Sequence, residues 1–193
     1  MTGNFYAMLS RMKYINRWGL MRNTATENIA EHSLSVAIIA HALAVIHNVR
    51  LGGSVSPERA ATLALFHDCP EILTGDLPTP VKYYNPEISN AYKQVEDISA
   101  NKLLSMLPDD ISAEYRSLFF KQDDDKPLWK LVKTADKIDA LIKCIEEVKS
   151  GNSEFKKAKQ STLELVKKLK MPEADIFLKE FLPAYSLTID ELD

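Results

Sequence analysis

Apolar residues recur along this chain at steps of three and four, and nowhere do several β-branched runs alternate with period two. That periodicity restricts the fold to packed helices, and the class expected is all-α. Phe5, Met8, Leu9 and Met12 predict a first helix running to about Asn16. Asn28 with Glu31 three residues later reads as a capping box, opening a helix through Val36, Ile39, Ala40, Leu43 and Ile46. Ser56-Pro57-Glu58 is an N-cap followed by proline at the first helical position. Asn85-Pro86 starts a long helix whose stripe of Ile88, Tyr92, Val95, Ile98, Leu103 and Met106 reads as core, with Pro108 as its stop. A shorter helix follows from Ile111 to Phe119. Pro127 begins another, with Leu131, Val132, Ala135, Ile138 and Ile142 facing inward and Gly151 as its C-terminal stop. Ser153 and Pro172 open the last two. With 193 residues, 46% of them hydrophobic, the chain can bury a sizeable core, and one domain over residues 1–193 is the simplest expectation.

Charge and cysteine usage remove several function classes. A net charge of −3 argues against a binder of nucleic-acid polymers, which normally carries a strong basic excess. Cys69 and Cys144 both lie inside apolar helical patterns, so no disulfide framework is expected and a reducing cytoplasm is the default. Ser10, Arg11 and Lys13 interrupt any N-terminal apolar segment, and no run is expected to reach the roughly 20 residues of a membrane span.

The stretch Ala64-Leu65-Phe66-His67-Asp68-Cys69-Pro70-Glu71 places two metal-type ligands side by side at the end of an apolar helical run. Burying His67, Asp68 and Glu71 there without partners would be costly. Two readings satisfy them: a metal ion, or a buried His–Asp hydrogen bond at a helix end. In a continuous helix Glu71 would lie one turn beyond His67 on the same face, but Pro70 cannot donate its backbone N–H, so the helix either kinks or restarts there. The following Thr74-Gly75-Asp76-Leu77-Pro78-Thr79-Pro80 is a stiff loop, either a surface connector or the wall of a pocket. Upstream, Arg17-Trp18-Gly19 sets a cation beside a large aromatic in a loop. His32 falls in the first turn of its helix, and Asp136 lies mid-helix with Asp139 one turn on as the competing carboxylate. Together His32, the His67-Asp68 pair and Asp136 make a mixed nitrogen and oxygen set suited to a first-row divalent metal.

The spacing H…HD…D resembles the HD-domain phosphohydrolases. The surrounding text is more specific: Asn16-Arg17-Trp18, Leu20-Met21-Arg22-Asn23, Thr26-Glu27-Asn28, Glu31-His32-Ser33-Leu34, Leu73 through Tyr83, Lys143-Cys144 and Glu146-Glu147 closely resemble the bacterial 5′-deoxynucleotidases of the YfbR family. The likeness covers almost the whole chain, with Cys69-Pro70 as a departure inside the motif that puts the setting of Glu71 at issue. It implies a single-domain HD-domain helical bundle that hydrolyses deoxyribonucleoside 5′-monophosphates, selects against ribonucleotides and works as a homodimer. The implied cofactor is one divalent cation, cobalt or manganese before zinc, iron, nickel or magnesium. Carried over by position, His32, His67, Asp68 and Asp136 would bind the metal and Glu71 would be the catalytic carboxylate. Arg17, Trp18, His32, Asp76, Leu77, Pro78 and Thr79 would contact the nucleotide. Two rivals use the same residues: a phosphohydrolase of cyclic, triphosphate or signalling nucleotides, and a helical interaction module without turnover. The tryptophan loop and the Gly-Asp-Leu-Pro-Thr-Pro loop count against the first, the complete quartet with Glu71 against the second.

Overall fold

The computed structural model describes residues 3–82 and 84–192, the side chain of Thr79 excepted. Helix α1 (Phe5–Leu9) tightens into a 3₁₀ turn at Ser10–Tyr14 and stops short of Asn16, which pairs with Asn28 in an isolated antiparallel bridge. The capping box at Asn28 is formed in full and starts α2 (Ile29–Leu51), and Gly52 ends it with φ 71°, a left-handed conformation that suits glycine. Ser56 caps α3 (Pro57–Phe66). Then come two single-turn helices, α4 (Glu71–Thr74) and α5 (Thr79–Lys82), and the longer α6 (Pro86–Leu104) and α7 (Asp109–Phe119). Helix α8 (Lys126–Lys149) is followed by α9 (Phe155–Lys168) and α10 (Pro172–Glu180). No strand occurs among the described residues, and the fold is all-α.

Helices α2, α3 and α8 pack on one another around Val36, Leu43, Leu63, Leu131, Val132 and Ile138, while α9 lies along α8 and α10 rests on α2. A second, smaller core gathers Phe5, Met12, Ile29, Cys69, Ile72 and Leu103. It positions the site, because Ile29 is one turn before His32, Cys69 follows Asp68 and Ile72 follows Glu71. Cys69 is a packing residue there: it is 1% exposed, with its Sγ 3.7 Å from Met12 Sδ, and burial pushes its thiol up.

Two sequence expectations change. Helix α2 is, by length and composition, apolar enough to cross a membrane, since it carries apolar residues on all sides, yet 56% of that stretch is buried inside the protein. The apolar stripe of α6 is core only at its C-terminal end: Ile88, Val95 and Ile98 are exposed, Leu103 is buried as expected, and the buried face is Ser99, Ala100, Leu103 and Leu104, of which the two leucines pack into the smaller core. Asp125, just before α8, is buried and bonds the guanidinium of Arg59 at 2.6 Å.

Candidate active site

The apolar run of α3 ends at Phe66 rather than continuing through the His-Asp pair. His67 is the C-terminal cap, residues 67–70 form a turn, and the helix restarts at Glu71. Of the two outcomes Pro70 permits, the restart is the one adopted. The turn fixes His67 by a 2.6 Å hydrogen bond between Nδ1 and the carbonyl of Ala64. A carbonyl only accepts, so Nδ1 carries a proton, and in the neutral ring Nε2 is then the lone pair.

That lone pair meets others. Asp68 Oδ2 lies 3.3 Å from His67 Nε2 and 3.3 Å from Nε2 of His32, which α2 brings in from another side. From the middle of α8, Asp136 places Oδ1 3.4 Å from the same His32 nitrogen. The two imidazole centroids are 5.3 Å apart. Despite this crowding neither Nε2 has a hydrogen-bond partner among the described residues, and both are buried, as is the equally unpartnered Glu71 Oε2. Each such buried group costs about 1–3 kcal/mol when left unmade. Donors gathered around a common point without bonding one another suit a cation that accepts from all of them. Burial and Arg17 oppose a proton on His32, yet Asp136, Asp139 and Asp68 outweigh them and hold its titration well above the ordinary imidazole value. The electrostatics thus favour positive charge at this point.

Glu71 sits just past these groups on α4, 4% exposed. Burial, reinforced by Asp68, pushes its carboxyl up to about 9, against the pull of Lys82, whose Nζ is 3.6 Å from Oε1. Lys82 comes from α5, where Pro80 occupies a first-turn position that needs no backbone N–H.

On the opposite side stands the loop of Arg17 and Trp18. Arg17 is no surface cation: its side chain is 12% exposed, with Nη1 3.0 Å from Glu27 Oε2 and 2.6 Å from His32 Nδ1. Trp18 takes φ 61°, a strained value for a bulky side chain. Its indole N–H donates to Glu27 at 2.8 Å, and its ring packs on Phe155 of α9 with centroids 5.4 Å apart. The loop is pinned further along by Glu147 of α8, which accepts from the backbone N–H and hydroxyl of Thr24 at 2.9 and 2.7 Å. Lys143 joins Glu147 to the carbonyl of Ala25 at 2.6 Å each, and Asn152 joins it to that of Arg22.

Between this loop, the Asp76-Leu77-Pro78 loop and helices α8 and α9 lies a cavity of about 730 Å³. That volume lies within the range of small-molecule sites. Arg17, Trp18, Asp76, Leu77 and Pro78 all line it, joined by Lys133, Lys137 and Ala140 of α8 and by Ser161, Thr162 and Leu165 of α9. Arg17 is the link between chambers, since it walls the cavity and touches His32 behind it.

Comparison with known proteins decides the lineage. Residues 4–185 match the YfbR-like 5′-deoxynucleotidase family. The chain belongs to that family. A 5′-deoxynucleotidase from Vibrio vulnificus is 49% identical over 98% of this chain and 97% of its own length. One from Erwinia tasmaniensis is 47% identical over 98% and 96%. Among solved structures, an HD-domain phosphohydrolase from Listeria innocua superposes with a TM-score of 0.81 at 27% identity, covering 94% of this chain and 88% of that one.

With YfbR-like membership in place, the residues expected from sequence divide cleanly. His32, His67, Asp68 and Asp136 converge, Glu71 stands buried on α4 three residues beyond Asp68, and Arg17, Trp18, Asp76, Leu77 and Pro78 line one cavity. The side chain of Thr79 lies outside the described residues. His32 departs from the usual first-turn histidine in being fully buried. Sequence reasoning missed the α9 wall, which reads as an ordinary amphipathic helix, and it gave no role to Glu27 or Lys82. It also missed Lys133, Lys137 and Ala140, whose i, i+4, i+7 spacing beside Asp136 was the available signal.

Proposed function

We propose that this protein hydrolyses deoxyribonucleoside 5′-monophosphates to deoxynucleosides and phosphate, using one divalent cation, cobalt or manganese, held by His32, His67, Asp68 and Asp136. The observation that carries the metal site is the pair of buried Nε2 atoms that face shared carboxylates without a hydrogen-bond partner among the described residues. When bound, such a cation supplies Lewis acidity, neutralising phosphate charge and acidifying water. Asp68 and Asp136 approach from different elements, so the quartet holds the reacting end in one orientation. Glu71, buried and short of hydrogen bonds, moves a proton at its Oε2, either from the attacking water or to the departing 5′ oxygen. Lys82 holds the carboxylate's other oxygen and limits its movement. Arg17 fixes the phosphate side of the ester, and the mostly apolar wall of Leu77, Pro78 and Leu165 receives the base without reading its polar edge.

Selection against ribose rests on Trp18. An indole has a single donor, and here it is committed to Glu27, so a 2′-hydroxyl packed against the ring loses its water and gains no partner. The same reading makes the protein a cytoplasmic homodimer. Free Cys69 and Cys144 support a reducing compartment, and Leu34, Ile38 and Val49, exposed along α2, support a covered face in the assembly. Phosphate release from deoxy- and ribonucleoside 5′- and 3′-monophosphates, with chelator and cobalt add-back, tests the activity. Release confined to 5′-deoxynucleotides and restored by metal is expected. Equal turnover of ribonucleotides, of triphosphates or of cyclic nucleotides would replace this reading with another phosphohydrolase.

A further inference from the structure

Asp136 and Asp139 stand one turn apart on α8, and they take hold of one imidazole from its two ends. Asp136 Oδ1 lies near His32 Nε2, while Asp139 Oδ2 lies 2.6 Å from His32 Nδ1. We propose that Asp139 is a positioning residue for the metal site: it accepts the Nδ1–H of His32 and thereby leaves Nε2 as the lone pair aimed at Asp68 and Asp136. This rests on the metal site argued above and assigns it a residue outside the ligand quartet.

The need for such a residue lies in a contest over one nitrogen. Arg17 Nη1 is also 2.6 Å from His32 Nδ1, and a guanidinium can only donate. If Nδ1 accepted from Arg17, the neutral ring would carry its hydrogen on Nε2, where it blocks a metal. If Nδ1 donates to Asp139, Nε2 is free. Geometry favours the second arrangement. Arg17 has another acceptor in Glu27 at 3.0 Å and ion-pair neighbours in Asp139 at 3.7 Å and Asp136 at 4.0 Å, whereas the hydrogen bond of the Asp139 side chain among the described residues is the one to His32, its contact with Arg17 being the longer ion pair. Both partners are buried, His32 at 0% and Asp139 at 5% exposure, so water offers neither an easy substitute.

His67 reaches the same state by a different route, with the carbonyl of Ala64 taking its Nδ1–H. That carbonyl is available because His67 caps a helix C-terminus. His32 lies near the start of α2, where the preceding carbonyls face into the helix, so a side chain from α8 must do the work. A carboxylate in that place orients the ring and raises the basicity of its ligating nitrogen.

The test uses the full chain and cobalt(II) alone, with affinity measured by chelator competition. Asp139→Ala should weaken cobalt binding about 10–100-fold, the usual effect of losing such an orienting partner, and Asp139→Asn, which keeps an accepting oxygen, should recover part of it. In the cobalt-loaded protein the Nδ1–H of His32 should give a shifted proton resonance whose exchange with water is slow in the parent and fast in Asp139→Ala. A merely structural role would lower the unfolding midpoint and leave that exchange unchanged. If Asp139→Ala does not fold, Asp139→Asn decides by the same two readings. Unchanged cobalt affinity and unchanged exchange overturn the proposal. A parent chain that fails to bind cobalt, or binds it equally well as His67→Ala, removes the metal reading itself, so the two failures are told apart.

Discussion

Glu71 and Glu147 are both buried glutamates, 4% and 1% exposed, and they do opposite things. Glu147 has its acceptors filled by Thr24, Lys143 and Asn152, and these bonds outweigh burial and hold its carboxylate below the ordinary range. Glu71 has one oxygen with no partner and a lysine 3.6 Å from the other, and burial pushes its carboxyl up to about 9. The depth is alike; the difference is satisfaction. A buried carboxylate with every acceptor used braces the fold, and one left short is kept for a substrate.

Removing each carboxylate should break the comparison most sharply. Glu71→Gln should lower kcat by about 10²–10⁴-fold, the usual worth of a proton-transfer group, with the urea midpoint unchanged or slightly raised. Glu147→Ala should do the reverse. It strands Lys143 in the interior and should cost about 3–5 kcal/mol in urea unfolding. Near-normal turnover in Glu71→Gln would remove the catalytic assignment, and a loss under about 1 kcal/mol in Glu147→Ala would remove the bracing one.

The two residues should also tilt the pH dependence of stability in opposite directions. Glu147 has a depressed folded value, so its contribution is present above 4.5, its ordinary value, and is lost as pH falls through the folded one. Glu71 has a raised value, so between 4.5 and about 9 the folded state keeps a proton that the unfolded state has released, and stability declines as pH rises. Unfolding of chelated protein across this range should show Glu147→Gln flattening the acid limb and Glu71→Gln flattening the alkaline decline. The smallest effect expected is at Trp18, on the loop that Glu147 braces. Trp18→Ala should narrow the deoxy-over-ribo ratio of kcat/KM by about 10-fold, and an unchanged ratio would take selectivity away from the indole.

Much of this was legible in the chain. Capping signals at Asn28, Ser56 and Asn85 and the stop at Gly151 placed the principal helices, because those signals are local. The quartet was legible as residue types, and the family resemblance chose Asp136 over Asp139; what it did not give is that the two, one turn apart on α8, touch opposite nitrogens of one ring. Long-range partners were out of reach. Nothing near Glu147 in sequence announces Thr24, 123 residues away, and nothing near Arg17 announces that Glu27 and His32 will bury it. The stripe of α6 misled at Ile88, Val95 and Ile98, though not at Leu103, because a peripheral helix can be apolar on a face that the chain itself does not cover.

The central claim is that one cation sits where two bare imidazole nitrogens meet Asp68 and Asp136. Anomalous scattering from cobalt-soaked crystals tests it directly. The account predicts a single strong peak about 2.0–2.2 Å from His32 Nε2, His67 Nε2, Asp68 and Asp136. A peak on the Nδ1 side of His32, between Glu27 and Asp139, or none near His67, would contradict it.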